Sequence, residues 1–186
     1  MSLRRAHADS GALEWPSATE LLRLLAALLV AVLLQTTVAP NIRVLGANPD
    51  FALVFIVCVA LIKGSELGAL FGFCTGTLVA IALMEPFGLS AFVFVLVGYF
   101  AGRYVETADL SAAFAPLVAV FLATVLANVL FAVAQFLLAR EVPLDLLFVR
   151  VLLPSLVLNT LLAAPLYLVM RAWLQGSGDL RAARAR

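Results

Sequence analysis

Apolar residues fill this chain in long blocks, and short polar clusters separate one block from the next. Residues 1–16 are polar and close on Trp15-Pro16, which reads as a flexible tail. Ser17-Ala18-Thr19-Glu20 has the spacing of a capping box, in which serine and glutamate satisfy free amides of a first helical turn. A first helix is predicted over 17–38, stopped by Pro40. Asn48-Pro49-Asp50 marks the next start, with asparagine as the cap, proline in the first helical position and aspartate against the positive end of the dipole. The apolar run 51–62 makes the second helix, and Lys63-Gly64-Ser65-Glu66 reads as a tight polar turn. A third helix is predicted over 67–84, a break at Glu85-Pro86-Phe87-Gly88, and a fourth helix over 89–102 that ends at Arg103. A polar stretch, 103–111, precedes a fifth helix over 112–138. After a loop at 140–145, a sixth helix is predicted over 146–170, with Pro154 and Pro165 inside it. Residues 173–186 read as a polar, basic tail.

A full membrane crossing takes ~20 apolar residues. The first, third, fifth and sixth blocks meet or approach that length. The second and fourth fall short, and need flanking residues or shielding by their neighbours. A re-entrant hairpin of helices two and three would leave four crossings, but six is the expectation adopted. Composition supports a lipid setting. Hydrophobic residues make up 65% of the chain and charged residues 12%, against ~25% charged in an ordinary globular domain. A soluble fold of this size leaves too much surface in water to hide so much apolar side chain. The expected fold is therefore an all-α integral membrane protein, with six transmembrane helices over 17–172 and a short tail at each end.

The net charge of +1 says little as a total, but the placement of the charges sets an orientation. Six crossings put Arg4, Arg5, Arg23, Lys63, Arg103, Arg171, Arg181, Arg184 and Arg186 on one side, and Arg43, Arg140 and Arg150 on the other. That bias places both termini in the cytoplasm. A cleaved leader fits poorly, because Asp9, Glu14 and Glu20 separate Arg4 and Arg5 from the first apolar block. No basic stripe or nucleic-acid motif is present, so no nucleic-acid partner is expected.

Catalytic chemistry is hard to assemble from these residues. The single histidine, His7, lies in the polar N-terminal stretch. Cys58 and Cys74 each sit inside an apolar run and read as buried thiols. No nucleophile motif or metal-ligand spacing occurs, and Ser90 and Ser155 have no histidine to activate them. Arg23 and Arg150 lie near helix ends, where they can snorkel. Asp50, Glu85 and Arg103 sit at helix boundaries, so no buried proton path is apparent. Neither an enzyme nor a cofactor or metal is expected.

Two patterns remain. Gly64, Gly68, Gly72, Gly76 and Ala80 recur every fourth residue and share one face of the third helix. Gly98 and Gly102 repeat the spacing on the fourth, and Ala27 and Ala31 on the first. Small residues let another helix approach closely, within the chain or from a partner. The intramembrane polar residues are few: Gln35, Thr36, Thr37, Thr75, Thr77, Asn128, Gln135 and Asn159. They must either bond neighbouring helices or line a polar cavity.

The order of these features resembles a known family. Gln35-Thr36-Thr37, then Asn48-Pro49-Asp50, then Gly68-x-x-x-Gly72-Phe73-x-x-Gly76 look like the rod-shape-determining membrane protein family MreD. So do Pro86-x-Gly88-Leu89-Ser90, Gly98-Tyr99-x-x-Gly102-Arg103, and Pro154, Asn159 and Pro165 of the last helix. The resemblance runs from about residue 20 to 172. MreD-like sequences often carry an aspartate where this chain has Ala80, and Glu85 is a candidate substitute. The resemblance implies a noncatalytic scaffold of the bacterial elongation machinery in the cytoplasmic membrane. Implied partners are MreC and, through it, MreB, a glycan polymerase and a penicillin-binding transpeptidase that build peptidoglycan. It also implies a fold similar to the six-helix substrate-binding subunits of energy-coupling-factor vitamin transporters. A transporter subunit of that kind is the competing function. Gln35, Asn128 and Asn159 would then line a vitamin pocket, and Ala27 and Ala31 would dock the transport partner.

Overall fold

The computed structural model describes residues 16–43, 47–84, 88–107, 115–137 and 152–175. Six α-helices and no strand lie among them: α1 (Ala18–Leu33), α2 (Phe51–Lys63), α3 (Ser65–Leu83), α4 (Leu89–Thr107), α5 (Ala115–Leu137) and α6 (Leu153–Gln175). α1 continues through a π-helical turn (Leu34–Val38) and a 3₁₀ turn (Ala39–Asn41). With that continuation, α1, α3, α4, α5 and α6 are long and apolar enough to cross a bilayer, and α2 is shorter. The architecture is that of an all-α, multi-pass membrane protein.

α2 is the axis of the bundle. Every residue from Ala52 to Leu61 is buried, and all five other helices pack against it. Its sequence allows this because Leu53, Val54, Phe55, Ile56, Val57 and Val59 leave no polar stripe. Its 13 residues rise only ~20 Å, against ~30 Å of hydrocarbon. One end of α2 therefore lies within the membrane's depth, screened from lipid by its neighbours.

Lipid tails are as apolar as leucine, so burial alone does not hold such helices together. Close packing does. The closest packing joins α3 to α4. A Cβ added at Gly72 would sit 2.2 Å from the Phe94 carbonyl oxygen, and one at Gly76 2.6 Å from Ala91 Cα. From the other side, a Cβ at Gly98 would sit 2.2 Å from the Gly68 carbonyl oxygen, and one at Gly102 2.3 Å from Ser65 Cα. A Cβ at Gly68 would meet Ala60 Cβ of α2 at 2.6 Å. Ala80 is buried at the far end of the same helix. The glycine line thus lies against α4, and a partner's helix could take that place only by displacing α4.

Several boundaries differ from the sequence expectation. α4 runs through to Thr107 instead of ending at Arg103, because Arg103 and Glu106 pair one turn apart at 2.6 Å and Glu106 Oε1 accepts a 2.7 Å hydrogen bond from Ser65 Oγ. This makes α4 long enough to cross. The turn expected at residues 63–66 contracts to Gly64 alone, whose φ of +90° suits glycine. Ser65 and Glu66 belong to α3. Asp50 is the N-cap of α2, not Asn48, because the Asp50 carboxylate accepts from the Leu53 amide at 3.0 Å. Pro49 therefore precedes the cap. Pro154 is the second residue of α6 and Pro165 is interior to it. At the start of α1, the glutamate arm of the capping box is made, with Ser17 N donating to Glu20 Oε2 at 3.0 Å. Glu85, Arg140, Arg150, the loop at 140–145, the predicted helix start at 146 and most of both tails lie outside the described residues.

We expect Gly72→Leu to destabilise the folded protein by at least about 3 kcal/mol, because two backbones must separate to admit the side chain. Leu70→Ile, on the exposed side of α3, should change stability little. Thermal unfolding of the detergent-solubilised protein compares the two.

Candidate functional site

The first amides of any α-helix lack intrahelical acceptors. For a helix that begins inside the membrane, water cannot supply them, and each buried unsatisfied group costs ~2–7 kcal/mol on transfer scales. α2 meets this need with side chains from three elements. The Asp50 amide donates to Asn159 Oδ1 of α6 at 2.8 Å. The Ala52 amide donates to Gln35 Oε1, from the π-helical turn after α1, at 3.1 Å. The Leu53 amide donates to Asp50 Oδ1 at 3.0 Å.

The π-helical turn is what aims Gln35. The Thr36 hydroxyl donates to the Val32 carbonyl at 2.8 Å, and Thr37 bonds the Leu33 carbonyl. These bonds back onto the preceding turn satisfy both hydroxyls locally. A widened turn also shifts the residues after it around the helix axis. Asn159, 1% exposed, is held in its turn by α5, since its Nδ2 donates to Thr124 Oγ1 at 3.4 Å. Thr124 donates to the Val120 carbonyl at 2.8 Å. Asn128 Nδ2 donates to the Thr124 carbonyl at 2.8 Å and reaches Ser155 Oγ at 3.5 Å. The result is a polar seam between antiparallel helices, with Thr124 opposite Asn159 and Asn128 opposite Ser155. The seam ends on the start of α2.

The structure thus brings together Gln35, Pro49, Asp50, Asn128 and Asn159, with Pro154 buried next to Ser155. It does not bring in the other two candidates. Tyr99 is exposed on α4 and makes an edge contact with Phe100. Arg103 sits at the opposite end of the bundle, beside Glu106. Thr124 and Ser155 belong to the seam and were not among the sequence candidates. Their signal was spacing: each lies four residues before an asparagine, which puts Thr124 on the face of Asn128 and Ser155 on the face of Asn159.

No cluster of three or more histidine, cysteine or acidic side chains that could hold a metal occurs among the described residues. The seam side chains bond backbone groups and one another. Chemically, the arrangement fixes where and at what angle α2 begins.

The opposite end is tied by charge. Lys63, at the end of α2, pairs with Glu20 in the first turn of α1 at 3.0 Å. Arg23 of α1 donates to the Trp173 carbonyl of α6 at 2.9 Å. The start of α1 and the end of α6 therefore meet at one end of the bundle. A comparison with protein families matches the rod shape-determining protein MreD over residues 17–176, nearly the whole chain.

The chain belongs to the MreD family. Its role therefore lies in rod-shape determination, in a membrane protein family that determines cell shape. No curated relative and no solved structure matches. The likeness to vitamin-transporter subunits thus rests on the sequence resemblance alone. The MreD match spans α1 to α6 and includes the whole seam at α2.

Replacing Asn159 by leucine leaves the Asp50 amide and the Thr124 hydroxyl short of a partner. We expect a loss of about 1–3 kcal/mol. Asn159→Asp keeps the acceptor for the Asp50 amide but adds charge beside Asp50, so it should not rescue stability. Chemical denaturation in mixed micelles measures both.

Proposed function

We propose that this MreD-family chain is a noncatalytic scaffold that binds MreC in the cytoplasmic membrane and so supports peptidoglycan synthesis along the rod wall. MreB, a glycan polymerase and a penicillin-binding transpeptidase connect to it through MreC. Both termini face the cytoplasm, in keeping with the bias of basic residues towards the end where α1 starts and α6 stops.

One observation carries this reading. The intramembrane polar side chains act as structural hydrogen-bond partners at the start of α2, which suits a body whose shape is its function. The glycine line is covered by α4. That moves the proposed docking surface to the outer faces of α1, α5 and α6, where Leu29, Phe121, Val157, Leu161 and Leu168 are exposed. The transporter reading draws less support. Gln35, Asn128 and Asn159 are engaged in hydrogen bonds. Ala27 and Ala31 are buried inside the bundle, away from any outside partner.

Affinity capture of MreC from a rod-shaped host that depends on this chain tests the proposal. Tryptophan substitutions at Phe121, Leu161 or Leu29 should leave stability unchanged, and at least one should reduce capture about tenfold and round the cells. Each tenfold corresponds to about 1.4 kcal/mol of interface energy. Undiminished capture by all three variants would refute docking on these faces. A stoichiometric small molecule retained through purification would favour the transporter reading instead.

A further inference from the structure

A second feature lies at the end of the bundle away from the seam. α1 and α3 diverge there to leave a groove of about 400 Å³. Its floor is Leu24, Leu28 and Phe71, each less than a tenth exposed. Leu25 and Leu70 form walls that are about half exposed, and Cys74 closes the inner end. The mouth is marked by Pro16 and Glu66. A groove with such walls offers water almost no hydrogen-bond partners.

Charge at the mouth distinguishes this groove from an ordinary lipid-facing crevice. Three acids lie at this end of the bundle among the described residues. Glu20 is paired with Lys63 and Glu106 with Arg103. Glu66 has no basic side chain within ion-pair distance among the described residues. It stands in the first turn of α3, beside the positive end of the helix dipole. A carboxylate over an apolar slot at the membrane surface complements a molecule with a hydrocarbon chain and a cationic head.

We propose that the α1–α3 groove holds one acyl chain of an amine-bearing phospholipid, whose ammonium group sits against the Glu66 carboxylate. The lipid belongs to the leaflet in which α1 begins and α6 ends. It fills the gap between α1 and α3 and sets a cation beside Glu66.

Native mass spectrometry of the protein, released from nanodiscs of equal phosphatidylethanolamine and phosphatidylglycerol, tests this. One retained phosphatidylethanolamine is expected, enriched about two- to fivefold, the range one partly exposed ion pair supplies. Glu66→Gln should abolish the enrichment, and Glu66→Lys should reverse it towards phosphatidylglycerol. Leu70→Trp should remove the retained lipid without unfolding the protein. A lipid-soluble maleimide provides a second readout, because Cys74 lines the groove while Cys58 is wholly buried. Labelling of Cys74 should rise when Leu28→Ala widens the groove in lipid-depleted detergent, and fall when phosphatidylethanolamine is restored. Equal retention of both lipids by the wild type and Glu66→Lys would overturn the proposal. So would protection of Cys74 by co-expressed MreC and not by lipid, which would assign the groove to a protein helix.

Discussion

The start of α2 must find hydrogen-bond partners without help from water, and much of the bundle is arranged around that requirement. A helix of 13 residues cannot reach both faces of a bilayer. Its N-terminus would be a costly defect if it met lipid. Here it meets Asn159, Gln35 and its own Asp50. Those contacts oblige α1 to end in a widened turn, and α6 to present an amide that α5 in turn supports. One local requirement thus fixes the relative positions of four helices.

The other interfaces follow from the weakness of hydrophobic association in lipid. α3 and α4 lie close because glycines on both remove the side chains that would keep them apart. The ends opposite the seam are drawn together by Lys63 with Glu20 and by Ser65 with Glu106. Such partly buried pairs near a helix end contribute little energy each, but they set which helix ends are neighbours. A body held by a polar seam, a glycine contact and a charged end keeps its shape while presenting apolar outer faces. For a member of a shape-determining family, that combination suits work done by contact with other proteins.

Much of the fold could be read from the residues. Long apolar blocks between Pro40, Gly64, Gly88 and the polar clusters located the helices, since proline, glycine and charge interrupt membrane helices for local reasons. The four-residue glycine spacing revealed a close-packing face, but spacing cannot say which helix fills it. That α4 does so depends on tertiary arrangement. The ends of α4 and α6 were misplaced because their final turns are held by distant partners, Ser65 for Glu106 and Arg23 for the Trp173 carbonyl. The site was half legible. Gln35, Asp50, Asn128 and Asn159 stood out as rare polar residues in apolar runs. Their convergence on the first turn of a buried helix was not visible, because it joins residues more than a hundred positions apart. Thr124 and Ser155 carry no such signal, because helical hydroxyls bond the carbonyls of a preceding turn.

Side chains from α1 and α6 cap a helix that begins inside the membrane. Amide hydrogen exchange of the protein in lipid nanodiscs, resolved at Asp50, Ala52 and Leu53, tests this capping most directly. Protection of these three amides is expected to be comparable to that of Val57 and Val59 in the helix interior. Exchange as fast as that of an open surface loop would show that water reaches the start of α2, and would contradict the capping.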